Sequence, residues 1–117
     1  MAKKIRVWDG TSWQQVGVSA ALPSAFNQSI SANGTIEAGK RYFVDTTAAR
    51  TLILPASPSA GDEIVIFDAS GTSATYNITV ASNSNKINGV VQNLTIDANF
   101  AAVVLVYIGA TYGWRVN

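Results

Sequence analysis

The chain has no cysteine and no histidine. Without cysteine there is no disulfide and no thiolate nucleophile, so cysteine usage leaves the redox compartment open. Without histidine as well, Ser-His-Asp and Cys-His catalysis and ordinary zinc sites are excluded. No metal or other cofactor is expected. Charge is also scarce: Asp, Glu, Lys and Arg make up 13% of the chain, against about 25% in an average soluble domain. The eight basic residues are scattered, and only Lys3-Lys4 and Lys40-Arg41 are adjacent. Nucleic-acid binding needs a basic stripe to neutralise phosphates, so no nucleic-acid partner is expected. The longest apolar run, Phe100 to Ala110, falls short of the roughly 20 residues that span a bilayer, and no membrane partner is expected. Lys3-Lys4 is followed at once by Arg6 and Asp9, which leaves no signal-peptide core. Synthesis in a cytoplasm is the expectation.

Ser, Thr, Asn, Gly and Ala stand where the charge is missing. Such a surface is neutral and adhesive, and copies of it repel one another weakly. Coverage of much of it by other subunits is the expectation. The 117 residues suit a single unit with a modest core, and 48% are hydrophobic.

No window carries a 3.6-residue apolar stripe, so helices are not expected. Short β-type segments recur instead. Glu63-Ile64-Val65-Ile66-Phe67-Asp68 sets four bulky apolar residues between two acids and reads as a central strand buried on both faces. Asn77-Ile78-Thr79-Val80 alternates and reads as a half-buried strand that covers it. Further strands are expected at 29–31, 35–37, 40–45, 50–54, 86–87, 94–96, 102–108 and 114–116. Asn33-Gly34 reads as a tight turn, with 35–37 returning from it. At the N-terminus, Ile5 to Trp8 and Trp13 to Val16 flank Asp9-Gly10, a strong hairpin signal. A loose echo of this hairpin lies at Val106-Tyr107-Ile108-Gly109 and Trp114 to Val116. The pattern predicts an all-β chain: an antiparallel β-sandwich (jelly-roll-like) body over 29–117, with an N-terminal β-hairpin arm and linker over 1–28. Ile64, Ile66, Val104, Val106 and Trp114 are the expected core.

The seven acids, Asp9, Glu37, Asp45, Asp62, Glu63, Asp68 and Asp97, mostly sit in or beside turns, where Asp satisfies backbone amides. Asp62-Glu63 lies at a strand entry, and adjacent strand residues point to opposite faces. The Ala69 to Ser73 loop lacks the lysine and the following helix of a phosphate loop. An enzyme is not expected. Trp13 and Trp114 read as core or interface anchors. The alternative sets Trp8, Trp13, Tyr76 and Tyr112 along a glycan groove.

From Lys40 onward, several pieces resemble small β-domains of tailed-bacteriophage virion proteins. They are Tyr42-Phe43-Val44-Asp45, Leu52-Ile53-Leu54-Pro55, Gly61 to Asp68, Asn77 to Val80, Ile87-Asn88-Gly89, Leu105-Val106-Tyr107 and Gly113 to Val116. The hairpin Trp8-Asp9-Gly10-Thr11-Ser12-Trp13 looks like segments of phage tail proteins. The resemblance implies a homotrimer assembled without catalysis and resident in the virion. Its other partners would be the major capsid protein or tail and collar proteins. No coiled coil or shaft repeat accompanies these pieces, which fits a capsid decoration (cement) protein or a compact collar or tail fitting. The alternative is a receptor- or glycan-binding tip of a tail fibre. Ile5, Val7, Trp8, Trp13 and Val16 are the expected contacts to the virion or between subunits.

Overall fold

The computed structural model describes residues 26–117, together with strands at 6–8 and 13–15. The described residues form an all-β structure with no α-helix. β1 (Arg6–Trp8) and β2 (Trp13–Gln15) pair antiparallel, with Trp8 opposite Trp13. Then follow β3 (Asn27–Ile30), β4 (Gly34–Thr35), β5 (Lys40–Val44), β6 (Arg50–Ile53), β7 (Glu63–Asp68), β8 (Ile78–Ala81), β9 (Leu94–Ile96), β10 (Ala102–Tyr107) and β11 (Trp114–Val116).

These nine strands make a five-stranded sheet, ordered β11-β10-β7-β5-β3, and a four-stranded sheet, ordered β4-β6-β8-β9. From β3 to β8 the chain alternates between the two. β3, β5 and β7 therefore stack in parallel in one sheet, and β4, β6 and β8 in the other. The last three strands turn back: β9 is antiparallel to β8, and β10 is antiparallel to both β7 and β11. Both sheets are thus mixed, which corrects the expectation of a wholly antiparallel body. The physical reason lies in the connections. Parallel neighbours need a crossover, and here each crossover is a strand of the opposite sheet. Asn33-Gly34 does not close a hairpin; it carries the chain from β3 to β4, across to the second sheet. Successive rungs differ in length, Asn27 stacking on Arg41 and Arg41 on Val65. No regular period is therefore left in the sequence.

One hydrophobic cluster fills the space the sheets share. The five-stranded sheet contributes Tyr42, Val44, Ile64, Ile66, Leu105, Tyr107 and Trp114. The four-stranded sheet contributes Leu52, Ile78, Val80 and Ile96, with Ile36, Leu54 and Ile87 beside them. Ile64, Ile66 and Trp114 are fully buried. Val104 and Val106 are only half-buried. β10 presents Leu105 and Tyr107 to the core, and the two-residue strand period sends Val104 and Val106 to the opposite face. Within an all-apolar run such as Ala102 to Ile108 nothing marks the phase, and a one-residue shift exchanges the faces.

Trp114 anchors the far edge. Its ring meets Tyr107 edge-on with centroids 5.3 Å apart, and its indole N–H is buried without a hydrogen-bond partner. Burying an indole gains about 4–6 kcal/mol at ~25 cal/mol per Å², which outweighs the roughly 1–3 kcal/mol cost of one unmade bond. Gly113 precedes it at φ 76°, where a Cβ would stand 2.0 Å from the Lys86 carbonyl oxygen. Only glycine allows that approach, and Trp114 N–H donates to the same carbonyl at 2.8 Å.

Truncating Ile66 to Ala opens a cavity in the middle of β7. A loss of about 2–5 kcal/mol is expected, read from the midpoint of urea unfolding at unchanged slope.

Candidate interaction surface

β7 lies in the middle of its sheet, between β10 and β5. Its inward residues fill the core, so its outward residues, Val65 and Phe67, belong to the opposite face. Register carries this face sideways. Val65 lies beside Arg41 and Val104, and Phe67 beside Phe43 and Ala102. Val106 lies between Glu63 and Arg115. The centre of the outer face is therefore Phe43, Val65, Phe67, Val104 and Val106, all half-buried, with Arg41, Glu63 and Arg115 around it. The Phe43 and Phe67 rings are 5.5 Å apart and tilted. A shallow depression of about 220 Å³ indents the face where Phe26, Arg41, Glu63 and Val65 meet. The outer face of the other sheet is quite different. Thr51, Thr79 and Thr95 stand side by side across β6, β8 and β9.

The two ends of the strands carry loops. Beyond the end of β7, the loops 69–76 and 97–101 are built on Asp68, which is 4% exposed. One carboxylate oxygen accepts the Thr46 hydroxyl at 2.6 Å and Gly71 N–H at 2.9 Å. The other accepts Ser73 N–H at 2.9 Å and Phe100 N–H at 3.0 Å. The Ser73 hydroxyl donates to the Ala98 carbonyl, and Ala74 N–H to Asn99 Oδ1 at 2.9 Å, so the two loops are one unit. Burial pushes the Asp68 pKa up. The hydrogen bonds from Thr46, Ser73 and Phe100 outweigh it and hold the group far below the ordinary carboxylate range.

Other acids are engaged locally. Asp45 accepts Thr47 N–H at 2.8 Å, and hydrogen bonds from Thr47 lower its pKa. Asp62 accepts Ser59 N–H at 2.8 Å, and Glu37 pairs with Lys40 at 3.2 Å. Among the described residues, no three His, Cys, Asp or Glu side chains group as metal ligands do. No helix there is long and apolar enough to cross a membrane.

The expected contact residues fall in the N-terminal hairpin. Val7, Trp8 and Trp13 lie on its two strands, and Ile5 and Val16 lie outside the described residues. The division at residue 28 falls inside β3, which already pairs with β5 from Asn27. Of the aromatics proposed for a glycan groove, Tyr76 follows the C-terminal end of β7 and Tyr112 the C-terminal end of β10. These strands are antiparallel, so the two tyrosines occupy opposite ends and share no groove. Reading 63–68 as buried on both faces hid the outer face. The signal was Phe43, Val65 and Phe67 recurring on strands whose alternate residues were already committed to the core.

The Asp68 carboxyl has a depressed folded pKa. Its contribution to stability is therefore complete above its unfolded value, about 3.9, and is lost as pH falls below that toward the folded value. Stability measured by thermal unfolding should decline from about pH 4 downward. Asp68→Asn should flatten that decline. It should also lower stability at pH 7, by about 1–3 kcal/mol for each N–H left facing the amide nitrogen.

No protein-family model matches the chain, and no curated protein matches it.

Proposed function

We propose that this chain is a non-catalytic virion protein of a tailed bacteriophage, which assembles as a homotrimer to decorate or cement the capsid or to form a compact collar or tail fitting. The observation that carries the reading is the outer face of the five-stranded sheet. Its centre is two phenylalanines and three valines, on a chain whose surface has little charge to keep copies apart. An apolar face of this kind, rimmed by Arg41, Glu63 and Arg115, is what a protein interface uses. The engaged carboxylates support assembly over catalysis. Asp45, Asp62 and Asp68 are each occupied by backbone N–H groups of their own loops. In this reading the two mixed sheets are the layers of a β-sandwich body, and the segment from Ile5 to Val16 is the arm that meets the virion. The sequence resemblance to phage virion domains supplies the biological setting.

Light scattering behind a sizing column should give a mass near three chains. Val65→Glu places a carboxylate at the centre of the face and should reduce the mass to one chain, with the far-ultraviolet circular dichroism unchanged. A wild-type protein that stays monomeric at every concentration would remove the trimer from the proposal. Deleting residues 1–17 should leave a folded body that no longer joins particles. Normal incorporation of that truncation would show that the arm is not the attachment element.

A further inference from the structure

Phe100 is a large apolar residue held in a conformation that suits it badly. Its φ is 57°, in the left-handed region that non-glycine residues adopt at a cost. It is nonetheless 74% exposed, the most exposed large hydrophobic side chain among the described residues. The loop around it is organised to keep it there. Its N–H is tied to the buried Asp68 carboxylate. Its ring lies against Gly71, where a Cβ would stand 2.1 Å from a ring atom. Asparagine would take this backbone more cheaply. The ring is therefore an outward knob whose backbone is tied down and whose one face rests on Gly71, as a pre-placed interface anchor would be.

At the opposite end of the strands there is an open recess. Asn88, Gly89, Tyr112, Arg115 and Val116 line a depression of about 270 Å³. It is also ordered: Gly89 N–H donates to the Tyr112 carbonyl at 2.9 Å, and Val116 N–H to Asn88 Oδ1 at 3.2 Å. Tyr112 offers an aromatic wall, and Arg115 a guanidinium that can lie on a ring face. Charge agrees as well. Asp97, three residues before Phe100, is the one charged residue in the loops 69–76 and 97–101, and Arg115 is the one in the recess.

Resting on the homo-oligomer reading above, we propose that Phe100 of one copy inserts into the Tyr112–Arg115 recess of the next, with Asp97 paired to Arg115. Knob and recess lie at opposite ends of one subunit, so the contact is heterologous, and such contacts close into rings when the rotation allows. The apolar outer face lies between the two ends and would be enclosed by the ring.

Heterologous contacts have a complementation test. Phe100→Asn keeps the recess and loses the knob, and Arg115→Glu keeps the knob and loses the recess. Each alone should run as a monomer in light scattering. An equimolar mixture should give a two-chain complex and nothing larger. Asn suits the left-handed backbone, so the melting temperature of Phe100→Asn should hold or rise. A purely structural Phe100 would instead lower the melting temperature and leave the mass unchanged, which overturns the proposal. Two folded monomers that do not combine on mixing overturn it too, while the wild-type trimer and the Val65→Glu result still stand or fall separately.

Discussion

A single buried carboxylate organises one end of this protein. Asp68 closes β7, and its two oxygens accept hydrogen bonds from Thr46, Gly71, Ser73 and Phe100, four donors drawn from three separate segments. Burying an ion without partners is costly enough that the group would neutralise. Here the donors are already in place, so the charged form is the favoured one. In return the carboxylate holds the loops that follow β5 and β7 and precede β10. Phe100, in its left-handed backbone, donates to this carboxylate and sets its ring against the bare Cα of Gly71.

The winding of the chain explains the two contrasting outer faces. Each strand from β3 to β8 crosses to the other sheet, so equivalent positions of successive rungs stack directly. Stacking turns a local preference into a surface property. Phe43 and Phe67 become neighbours on one face, and Thr51 and Thr79 on the other. The inward residues do the same inside, where Val44, Ile64 and Ile66 meet Leu52, Ile78 and Val80. Antiparallel β9, β10 and β11 then complete both sheets. They add Leu105, Tyr107 and Trp114 to the core, and Val104 and Val106 to the apolar face.

These features support the assembly proposed above. A chain poor in charge, one apolar sheet face and two loop ends of opposite charge are the features on which the proposed contacts between copies rest. Asp45, Asp62 and Asp68 hold backbone in place, and the aromatics pack, as Tyr107 and Trp114 do, or stand outward, as Phe100 and Tyr112 do.

The sequence by itself determined most of the strands, though the one expected at 86–87 forms only isolated bridges at Ile87. The β-branched and aromatic runs at 40–45, 50–54, 63–68, 94–96, 102–108 and 114–116 all carry observed strands, because local propensity and turn residues act over a few positions. It also marked the fully buried Ile64, Ile66 and Trp114. The echo between the N-terminal segment and 106–116 corresponds to two antiparallel pairs, Trp8 opposite Trp13 and Tyr107 opposite Trp114. Tertiary structure alone decided which strands pair, since unequal rungs leave no period to read. It decided the phase of β10, where every residue is apolar and only packing against β7 and β11 chooses Leu105 over Val104. And it decided the state of Asp68, because donors at residues 46, 71, 73 and 100 become neighbours only when distant loops fold onto one carboxylate.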